Sequence, residues 1–475
     1  MASLNRSNRP AETAARASLD WWSAFSRTCE IGLTRGAGRG AIAAIAARRA
    51  ADLIRFARAH SPFYRDAWSG QPDVALDKLP VVHKRDLMAR FDDWVTDRSV
   101  DRRGVEVFLA DRTHIGERFR DRFVVWKSSG STGEPGIFVQ DPAALAVYDA
   151  LLAVQLQSAP LAARYAWGLL LQGGRAALIA ATGDHFASIA SWQRVCRGSP
   201  WPNARAFSVL DPLPELVAAL NEYQPAFLAS YPTTLAMLAA EQHEGRLRIA
   251  PSCVWSGGEC LSPTTAAAIE RAFGSVLINE YGASECMSIG FSCRSGWLHV
   301  NADWVVLEPV DAGYQPAAPG TRSHTVLLTN LANRIQPVIR YDLGDSVIAK
   351  PEPCACGSPL PAIRPEGRRD DVLALRALDG SIVRLSPLAL TTVVEDASPG
   401  SRFQLVQTDA DRIAVRLCAD SPRIRRAQWQ ATRKALRGYL TQQSLDNVHV
   451  SLAAGEPIPD PRSGKLREVI AAVRA

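Results

Sequence analysis

The chain has 475 residues, 47% of them hydrophobic and 21% charged, so it can bury a large core and fill two or three domains. Its net charge is only +6, and no basic stripe with interleaved aromatic residues occurs, which argues against nucleic-acid binding. Nine cysteines without framework-like spacing indicate a reducing compartment, and we expect a cytoplasmic protein. No run of about 18 apolar residues occurs, so we expect no membrane span.

The first hundred residues are predicted to form helices separated by turns. Residues 41–60 have the spacing of an amphipathic helix, and residues 61–64 (SPFY) interrupt the helical pattern. From about residue 120 to 350, short apolar runs alternate with helical patterns, which indicates α/β layering. The predicted strands include 122–126, 226–230, 252–255, 276–279 and 325–328, and the predicted helices include 233–244 and 263–273.

The pattern changes in the last quarter of the chain. Residues 351–365 are rich in proline and cysteine and are predicted to form a loop. Short strands follow, then a basic helix near residues 423–440, a strand and a terminal helix. We therefore predict a domain boundary near residues 367–371, with domains 1–367 and 368–475.

A loop with almost no side chains to pack occupies residues 128–136 (SSGSTGEPG). Its backbone N–H groups and hydroxyls could converge on an anion, because glycine lets the backbone approach closely. It is not a Walker A loop, since no Gly-Lys-Ser/Thr follows. A phosphate cradle and a flexible surface turn are both compatible with this stretch taken alone. The residues assigned to the cradle are Ser128, Ser129, Gly130, Ser131, Thr132 and Gly133.

Further stretches, in a fixed order, resemble the adenylate-forming (ANL) enzymes and most nearly their phenylacetate–CoA ligase-like branch. The resemblance covers roughly residues 50–470. It implies an α/β adenylate-forming enzyme fold, with a large multi-layer N-terminal domain and a small α+β C-terminal domain that moves as a lid. The stretches are 61–65 (SPFYR), 79–84 (LPVVHK), 255–259 (WSGGE), 280–285 (EYGASE), 340–345 (RYDLGD) and 463–466 (SGKL).

The resemblance implies that ATP and Mg²⁺ bind, with the 128–136 loop on the β and γ phosphates. The family often has lysine where this chain has Glu134, and Lys127 is a possible replacement for that charge. Among the matched positions, Tyr281 stacks on adenine, Asp345 accepts from the ribose hydroxyls and Glu285 binds Mg²⁺. The remaining matched positions are Gly257, Gly258 and Glu259 beside the adenine and acyl pocket, Gly282, Ser284 toward the α-phosphate, and Arg368 near the ribose.

The same resemblance implies that Lys465 reaches from the small domain to the substrate carboxylate and the α-phosphate. A compact, mobile ammonium suits two developing charges. We therefore predict Lys465, Glu285 and Ser284 as the catalytic residues. The hinge between the domains matches Asp370, with Asp371 as the competing choice.

Four residues could hold a structural Zn²⁺. Cys354 and Cys356 are two positions apart, and Cys293 and His299 lie upstream, so together they form a Cys₃His set. Some members of the resembling branch carry zinc near these segments. Cys286 is an alternative ligand, and buried free thiols are the alternative to a metal site.

The thiol acceptor and the acid are less defined. Residues 375–381 (LRALDGS) have Arg-Ala where coenzyme A ligases of this branch have Arg-Gly, so coenzyme A, a carrier protein's phosphopantetheine and an amine stay open. The basic helix could meet an acidic carrier protein or be a solvated face. We expect an aromatic or apolar acid, and find no anchoring aspartate for an amino acid's ammonium group. The expected pocket residues are Ser230, Tyr231, Pro232, Trp255 and Ala283.

Three hypotheses follow from the sequence. The first is an AMP-forming acyl- or aryl-CoA ligase. The second is an acyl-activating enzyme that loads a carrier protein or forms an amide. The third is a non-catalytic nucleotide-binding relative, against which the intact Glu285, Asp345 and Lys465 argue.

Overall fold

The structure, a computed structural model, describes nine segments of the chain. They are residues 21–70, 75–128, 135–156, 173–198, 203–366, 371–399, 401–419, 421–458 and 466–471. Within them, no helix is both long and apolar enough to cross a membrane.

Helices dominate the N-terminal hundred residues, as predicted. Ser61 ends one helix and begins the next, because its backbone N–H bonds the helix behind it and its hydroxyl accepts from the Tyr64 N–H ahead. Trp94 and Tyr64 are fully buried, and both donate to the carbonyl of Pro337. This layer is thereby attached to the segment that carries Arg340 and Tyr341. The helices are Trp21–Gly36, Arg39–His60, Pro62–Ala67, Lys84–Ala89, Phe91–Trp94 and Arg102–Ala110, with short 3₁₀ turns at Leu76–Lys78 and Arg112–His114.

A nine-stranded sheet forms the centre of the molecule, in the order β13-β14-β9-β8-β7-β6-β5-β3-β4. Strands β4, β3, β5, β6 and β7 are parallel, whereas β8, β9, β14 and β13 continue the sheet in antiparallel pairing. The strands are β3 Ala176–Ala180, β4 Ala204–Ser208, β5 Phe227–Ser230, β6 Cys253–Ser256, β7 Val276–Ala283, β8 Cys286–Ser292, β9 Leu298–Val300, β13 Val347–Ala349 and β14 Ala362–Pro365.

Both faces of the parallel half are buried, as parallel strands require. Leu228 and Val254 face one core, and Ala229 and Trp255 face the other. The predicted helices at 233–244 and 263–273 are confirmed as Pro232–His243 and Pro263–Phe273. The remaining helices of this region are Pro142–Leu156, Ala187–Gly198 and Leu213–Tyr223.

Two small sheets flank the central one. The hairpin β1 (Val124–Lys127) and β2 (Ile137–Gln140) brackets the glycine-rich loop. The second has the order β10-β11-β12, with β10 Val305–Val310, β11 Thr325–Asn330 and β12 Tyr341–Asp342. The prediction of one loop over 351–365 was too broad, since its last residues form β14 against β9.

The C-terminal part has its own sheet, in the order β19-β18-β17-β20, and a hairpin of β15 and β16. The predicted terminal helix is wrong within the described residues. Val469–Ala471 forms β20 instead, because these residues complete the sheet in parallel with β17. The elements are β15 Leu373–Arg376, β16 Ile382–Leu385, helix Pro387–Ala397, β17 Arg402–Asp409, β18 Arg412–Cys418, helix Pro422–Gln442, β19 His449–Leu452 and β20.

Polar contacts join this part to the rest of the chain. Gln443 donates to the carbonyl of Leu210 at 2.8 Å, and Arg112 lies 3.7 Å from Asp396. The predicted boundary at 367–370 lies outside the described residues, so the division into domains stays a prediction.

Candidate active site

Two hydrogen bonds between Ser128 and Gly136 close the base of the glycine-rich loop, and we call this pair of residues the hairpin neck. The Ser128 N–H donates to the Gly136 carbonyl at 2.9 Å, and the Gly136 N–H donates to the Ser128 hydroxyl at 2.8 Å. Of the predicted cradle only Ser128 lies in the described residues. Ser129, Gly130, Ser131, Thr132 and Gly133 lie outside them.

Lys127, at the base of this loop, already has an anionic partner. Its ammonium forms an ion pair with the buried Asp184, and its backbone N–H donates to the His185 carbonyl at 2.8 Å. The lysine therefore shares its charge with Asp184 before any phosphate arrives. This weakens its role as a replacement for the family's loop lysine.

The turn after β6 is fixed against the turn after β5. Gly258 has φ +80°, and a Cβ there would lie 3.0 Å from two ring carbons of Tyr231, so the position favours glycine. Both carboxylate oxygens of Glu259 accept from Thr233, one from its N–H and one from its hydroxyl, each at 3.0 Å. Glu259 thus caps the helix that begins at Pro232. The carboxyl ends of neighbouring parallel strands are where α/β folds place ligands.

β7 brings Tyr281 to Asp345. The Tyr281 hydroxyl donates to Asp345 Oδ2 at 2.9 Å, although the two residues are 64 positions apart. Just beyond Tyr281 the pairing of β7 with β8 is irregular. A Cβ on Gly282 would lie 2.0 Å from the Met287 carbonyl oxygen, so only glycine fits there.

Ser284 and Glu285 lie in the turn between β7 and β8. The Ser284 carbonyl accepts from the Trp126 indole at 2.8 Å, which joins this turn to β1. Glu285 is buried, and its Oε1 accepts from the Tyr341 hydroxyl at 2.7 Å. Burial raises the pKa of Glu285, while the Tyr341 hydrogen bond and the nearby Lys84 ammonium oppose that rise.

Residues 79–82 form hydrogen bonds to the segment that carries Tyr341 and Asp345. The Val82 N–H donates to the Arg340 carbonyl at 3.1 Å, and the Asp342 N–H donates back to the Val82 carbonyl at 2.9 Å. The Arg340 guanidinium also donates to the Leu79 carbonyl at 2.5 Å. Two stretches singled out in the sequence, 79–84 and 340–345, are therefore adjacent in space.

The described members of the predicted site line one cleft of about 2240 Å³. They come from different segments that meet at the carboxyl ends of β5, β6 and β7, the hairpin neck and the turn after β12. Within the part of the chain that is described, these segments line the same cavity, while the roles of the residues stay predictions. The predicted residues on this cleft are Ser128, Gly257, Gly258, Glu259, Tyr281, Gly282, Ser284, Glu285 and Asp345.

Comparisons with known proteins agree with this architecture at the level of fold. No family model matches the chain, and no curated protein matches it. Solved structures of 2-hydroxyisobutyryl-CoA ligase do match. One, with 2-HIB-AMP and CoA in the thioesterification state, has a TM-score of 0.52 at 21% identity and covers 90% of this chain and 89% of that one. Another, an open conformation with the same molecules, has a TM-score of 0.50 at 21% identity and covers 91% of each chain. The chain has the adenylate-forming ligase fold.

Besides the five loop residues named above, three assigned residues lie outside the described part of the chain. They are Lys465 and Arg368, together with the hinge candidate Asp370. The neighbours of Lys465 and Asp370 are fixed, since the Asp371 carboxylate binds the Arg467 guanidinium at 2.6 Å and accepts from the Ala471 N–H at 2.9 Å. This anchors residues 466–471 beside the start of β15.

A second group, here called the Cys/His cluster, consists of Cys293, His299, Cys354 and Cys356. Their ligand atoms all lie within 4.8 Å of one another. The Cys293 and Cys354 sulfurs are 3.7 Å apart, close to the ~3.8 Å expected for two thiolates on tetrahedral Zn²⁺ with bonds of about 2.3 Å. His299 Nε2 lies 3.2 Å from the Cys356 sulfur, and its Nδ1 lies 3.0 Å from the Leu360 carbonyl, which can hold the ring. Cys286 is not among these residues.

Sequence reasoning missed two groups on the cleft. Tyr341 lies inside the quoted RYDLGD stretch, yet nothing in that stretch shows that its hydroxyl binds Glu285. Glu280 precedes Tyr281 on β7, and burial raises its pKa to about 7. A carboxylate directly after the predicted strand 276–279 was the available signal for Glu280.

Proposed function

We propose that the chain is an AMP-forming acid–thiol ligase that converts a carboxylic acid to an acyl-adenylate and then to a coenzyme A thioester. The observation that carries the proposal is the single cleft in which Tyr281, Glu285 and Asp345 meet. The fold supports it, because 2-hydroxyisobutyryl-CoA ligase, which has the same fold, was solved with 2-HIB-AMP and CoA.

In the first half-reaction the substrate carboxylate attacks the α-phosphorus of ATP. The new bond joins acyl oxygen to phosphorus, the α–β phosphoanhydride bond breaks, and pyrophosphate leaves. Negative charge is spread over the phosphates, so preorganised donors and cations supply most of the catalysis. The 128–133 loop, the Ser284 hydroxyl and the Lys465 ammonium are the proposed donors.

The nucleoside is proposed to lie against the Tyr281–Asp345 pair. The Tyr281 ring stacks on adenine, while Asp345 accepts from the vicinal ribose hydroxyls. The 2.9 Å bond from Tyr281 to Asp345 fixes both side chains before ATP binds. Such preorganisation reduces the entropy lost on binding.

Glu285 is the proposed protein ligand for Mg²⁺. Magnesium keeps several waters and takes one or two carboxylates plus substrate phosphates, and a single buried carboxylate on a cleft suits that demand. When bound, the ion would neutralise phosphate charge. Burial raises the pKa of Glu285, and the Tyr341 hydroxyl and the Lys84 charge oppose that rise and so favour the ionised form that Mg²⁺ binds.

An aromatic or apolar acid suits the far side of β7. Trp255 lies 5.5 Å from Phe291 and 6.1 Å from Phe227, measured between ring centroids, and all three rings line the cleft. Aromatic rings of a substrate gain both buried area and edge-to-face contacts in such a setting.

Zinc is proposed for the Cys/His cluster. Three thiolates and one imidazole make a closed tetrahedral set that leaves no position for substrate, so the role would be structural. The cluster joins the β8–β9 connection to the loop before β14, which places it beside the central sheet.

For the second half-reaction we propose that the C-terminal domain turns about the hinge near 370–371. The thiol then attacks the acyl carbon, AMP leaves, and the thiol proton passes to solvent. The turn would part Asp396 from Arg112 and withdraw Glu395 from Lys127 and Lys84. Burial and the neighbouring Glu468 and Asp396 raise the pKa of Glu395 to about 8. In the present arrangement this carboxyl group lies near Lys127, at the base of the glycine-rich loop.

ATP–pyrophosphate exchange with a panel of carboxylic acids tests the first half-reaction. Exchange that depends on an acid and on Mg²⁺ is expected, whereas the absence of exchange with every acid of the panel would favour a non-catalytic nucleotide-binding relative. Acceptors are then compared by AMP release. Coenzyme A is expected to give the thioester, whereas release with a phosphopantetheinylated carrier protein or an amine alone would overturn that acceptor.

A further inference from the structure

Glu280 is a half-buried carboxylate that differs from four other buried or half-buried carboxylates of the described chain. Those listed below pair with a lysine or arginine, as the cost of burying a charge demands. Glu280 forms no ion pair with any residue in the described segments. The paired carboxylates are Asp184 with Lys127, Asp303 with Arg35, Glu241 with Arg246, and Glu308 with Arg340.

The donors that reach Glu280 are neutral. The Trp255 indole N–H donates to Oε2 at 3.0 Å, and the Ser288 hydroxyl donates to Oε1 at 2.8 Å. Both oxygens therefore accept, which is the arrangement of an ionised carboxylate rather than a carboxylic acid. Burial raises the pKa of the group to about 7, so the carboxylate lacks the full compensation that a cation would provide.

The side chain is half-buried, and it lines the cleft. Along β7 it precedes Tyr281, and alternation along a strand turns the two side chains to opposite faces. Glu280 is thus on the side of Trp255 and Phe291, which also line the cleft. A ligand held there would meet one carboxylate among aromatic rings.

We propose that Glu280 is a specificity-determining residue that binds an ammonium group on the substrate acid. The substrate class is an amino acid whose ammonium group lies on an apolar or aromatic frame. The ammonium group supplies the cation that the four paired carboxylates obtain from the protein, and both Glu280 oxygens have further lone pairs for it. The sequence reasoning, which found no anchoring aspartate, overlooked this glutamate. The inference rests on the proposed function.

The test compares matched acids that differ only by an ammonium group in place of a methyl group. Suitable pairs are alanine with isobutyrate, 5-aminopentanoate with hexanoate, and 4-(aminomethyl)benzoate with 4-ethylbenzoate. The readout is kcat/KM in ATP–pyrophosphate exchange. For at least one pair the ammonium acid should be preferred by about tenfold or more, since one charged hydrogen bond contributes roughly 1.5–3 kcal/mol.

Glu280→Gln keeps the shape and removes the charge, so it should abolish or reverse that preference. Glu241→Gln, at a paired carboxylate away from the cleft, is the matched control and should leave the preference unchanged. Exchange with methyl acids alone would overturn the inference while supporting the ligase proposal. No exchange with any acid would count against the proposed function itself. If Glu280→Gln does not fold, the kcat/KM ratio of the unaltered protein for ammonium acids against methyl acids decides whether the inference holds.

Discussion

The cleft and the Cys/His cluster both gather residues from separate parts of the chain, but they hold them differently. In the cleft, Glu285 and Asp345 each accept from a tyrosine hydroxyl, and both still border open space. In the cluster the ligand atoms of the four side chains lie within 4.8 Å of one another, although Cys293, His299 and Cys356 also border the cleft. Open sites bind reactants and closed sites hold chains together, so the two regions should respond in opposite ways to substitution.

The largest effect is expected from Lys465→Ala, at the residue that is proposed to reach the α-phosphate. Loss of a cation at the α-phosphate should lower pyrophosphate exchange by about 10²–10³, the effect of removing one transition-state donor. ATP binding measured by calorimetry and the melting temperature should change little. Lys434→Ala, on the exposed face of the helix Pro422–Gln442, is the matched control. Unchanged exchange in Lys465→Ala would remove its assigned role.

A smaller effect is expected from Asp345→Asn. The amide can accept only one of the two ribose hydrogen bonds and no longer offers a charged acceptor to Tyr281, so KM for ATP should rise about tenfold to a hundredfold. Steady-state kinetics with varied ATP measures it. Asp379→Asn, in the exposed turn between β15 and β16, should behave like the unaltered protein. An unchanged KM for ATP would place the ribose elsewhere.

Cys354→Ser should lower stability more than activity, whereas the cleft variants should lower activity more than stability. We expect loss of bound zinc by elemental analysis and a fall in melting temperature of about 5 °C or more, at roughly 2–4 °C per kcal/mol for a large domain. Activity of the folded fraction should fall less than tenfold. Cys29→Ser, at an exposed cysteine, is the control. The zinc proposal would be wrong if the purified unaltered protein contained no zinc and Cys354→Ser had unchanged stability.

The smallest effect is expected from Tyr341→Phe. Burial raises the pKa of Glu285 and the Tyr341 hydrogen bond lowers it, so removing the hydroxyl should raise that pKa further. Because Mg²⁺ needs the ionised carboxylate, the acid limb of the pH–activity profile should move to higher pH. A loss of about twofold to tenfold at neutral pH is expected, from one hydrogen bond. If the acid limb of the pH–activity profile does not move in Tyr341→Phe, Tyr341 does not influence the proposed metal ligand Glu285.

The sequence predicted much of the fold, because local patterns and tertiary packing agree there. The run at 263–273 shows it, with proline at its start, glycine after its end and a periodic apolar face. The terminal segment shows the opposite, since Val469–Ala471 becomes a strand only where β17 offers an edge. The site divides in the same way. Motifs indicated Tyr281, Glu285 and Asp345, whereas the contacts of Tyr341, Lys127 and Glu280 depend on distant partners that no local pattern specifies.

Gly282 changes how the stretch at 280–285 should be interpreted in other chains. A side chain there would collide with the Met287 carbonyl, so any relative that keeps this pairing of β7 and β8 has to retain the glycine, whether or not it turns over a substrate. The glycine therefore reports the fold, while the serine and glutamate after it would report the proposed chemistry. A pseudoenzyme would be recognised by losing the latter two and keeping the former.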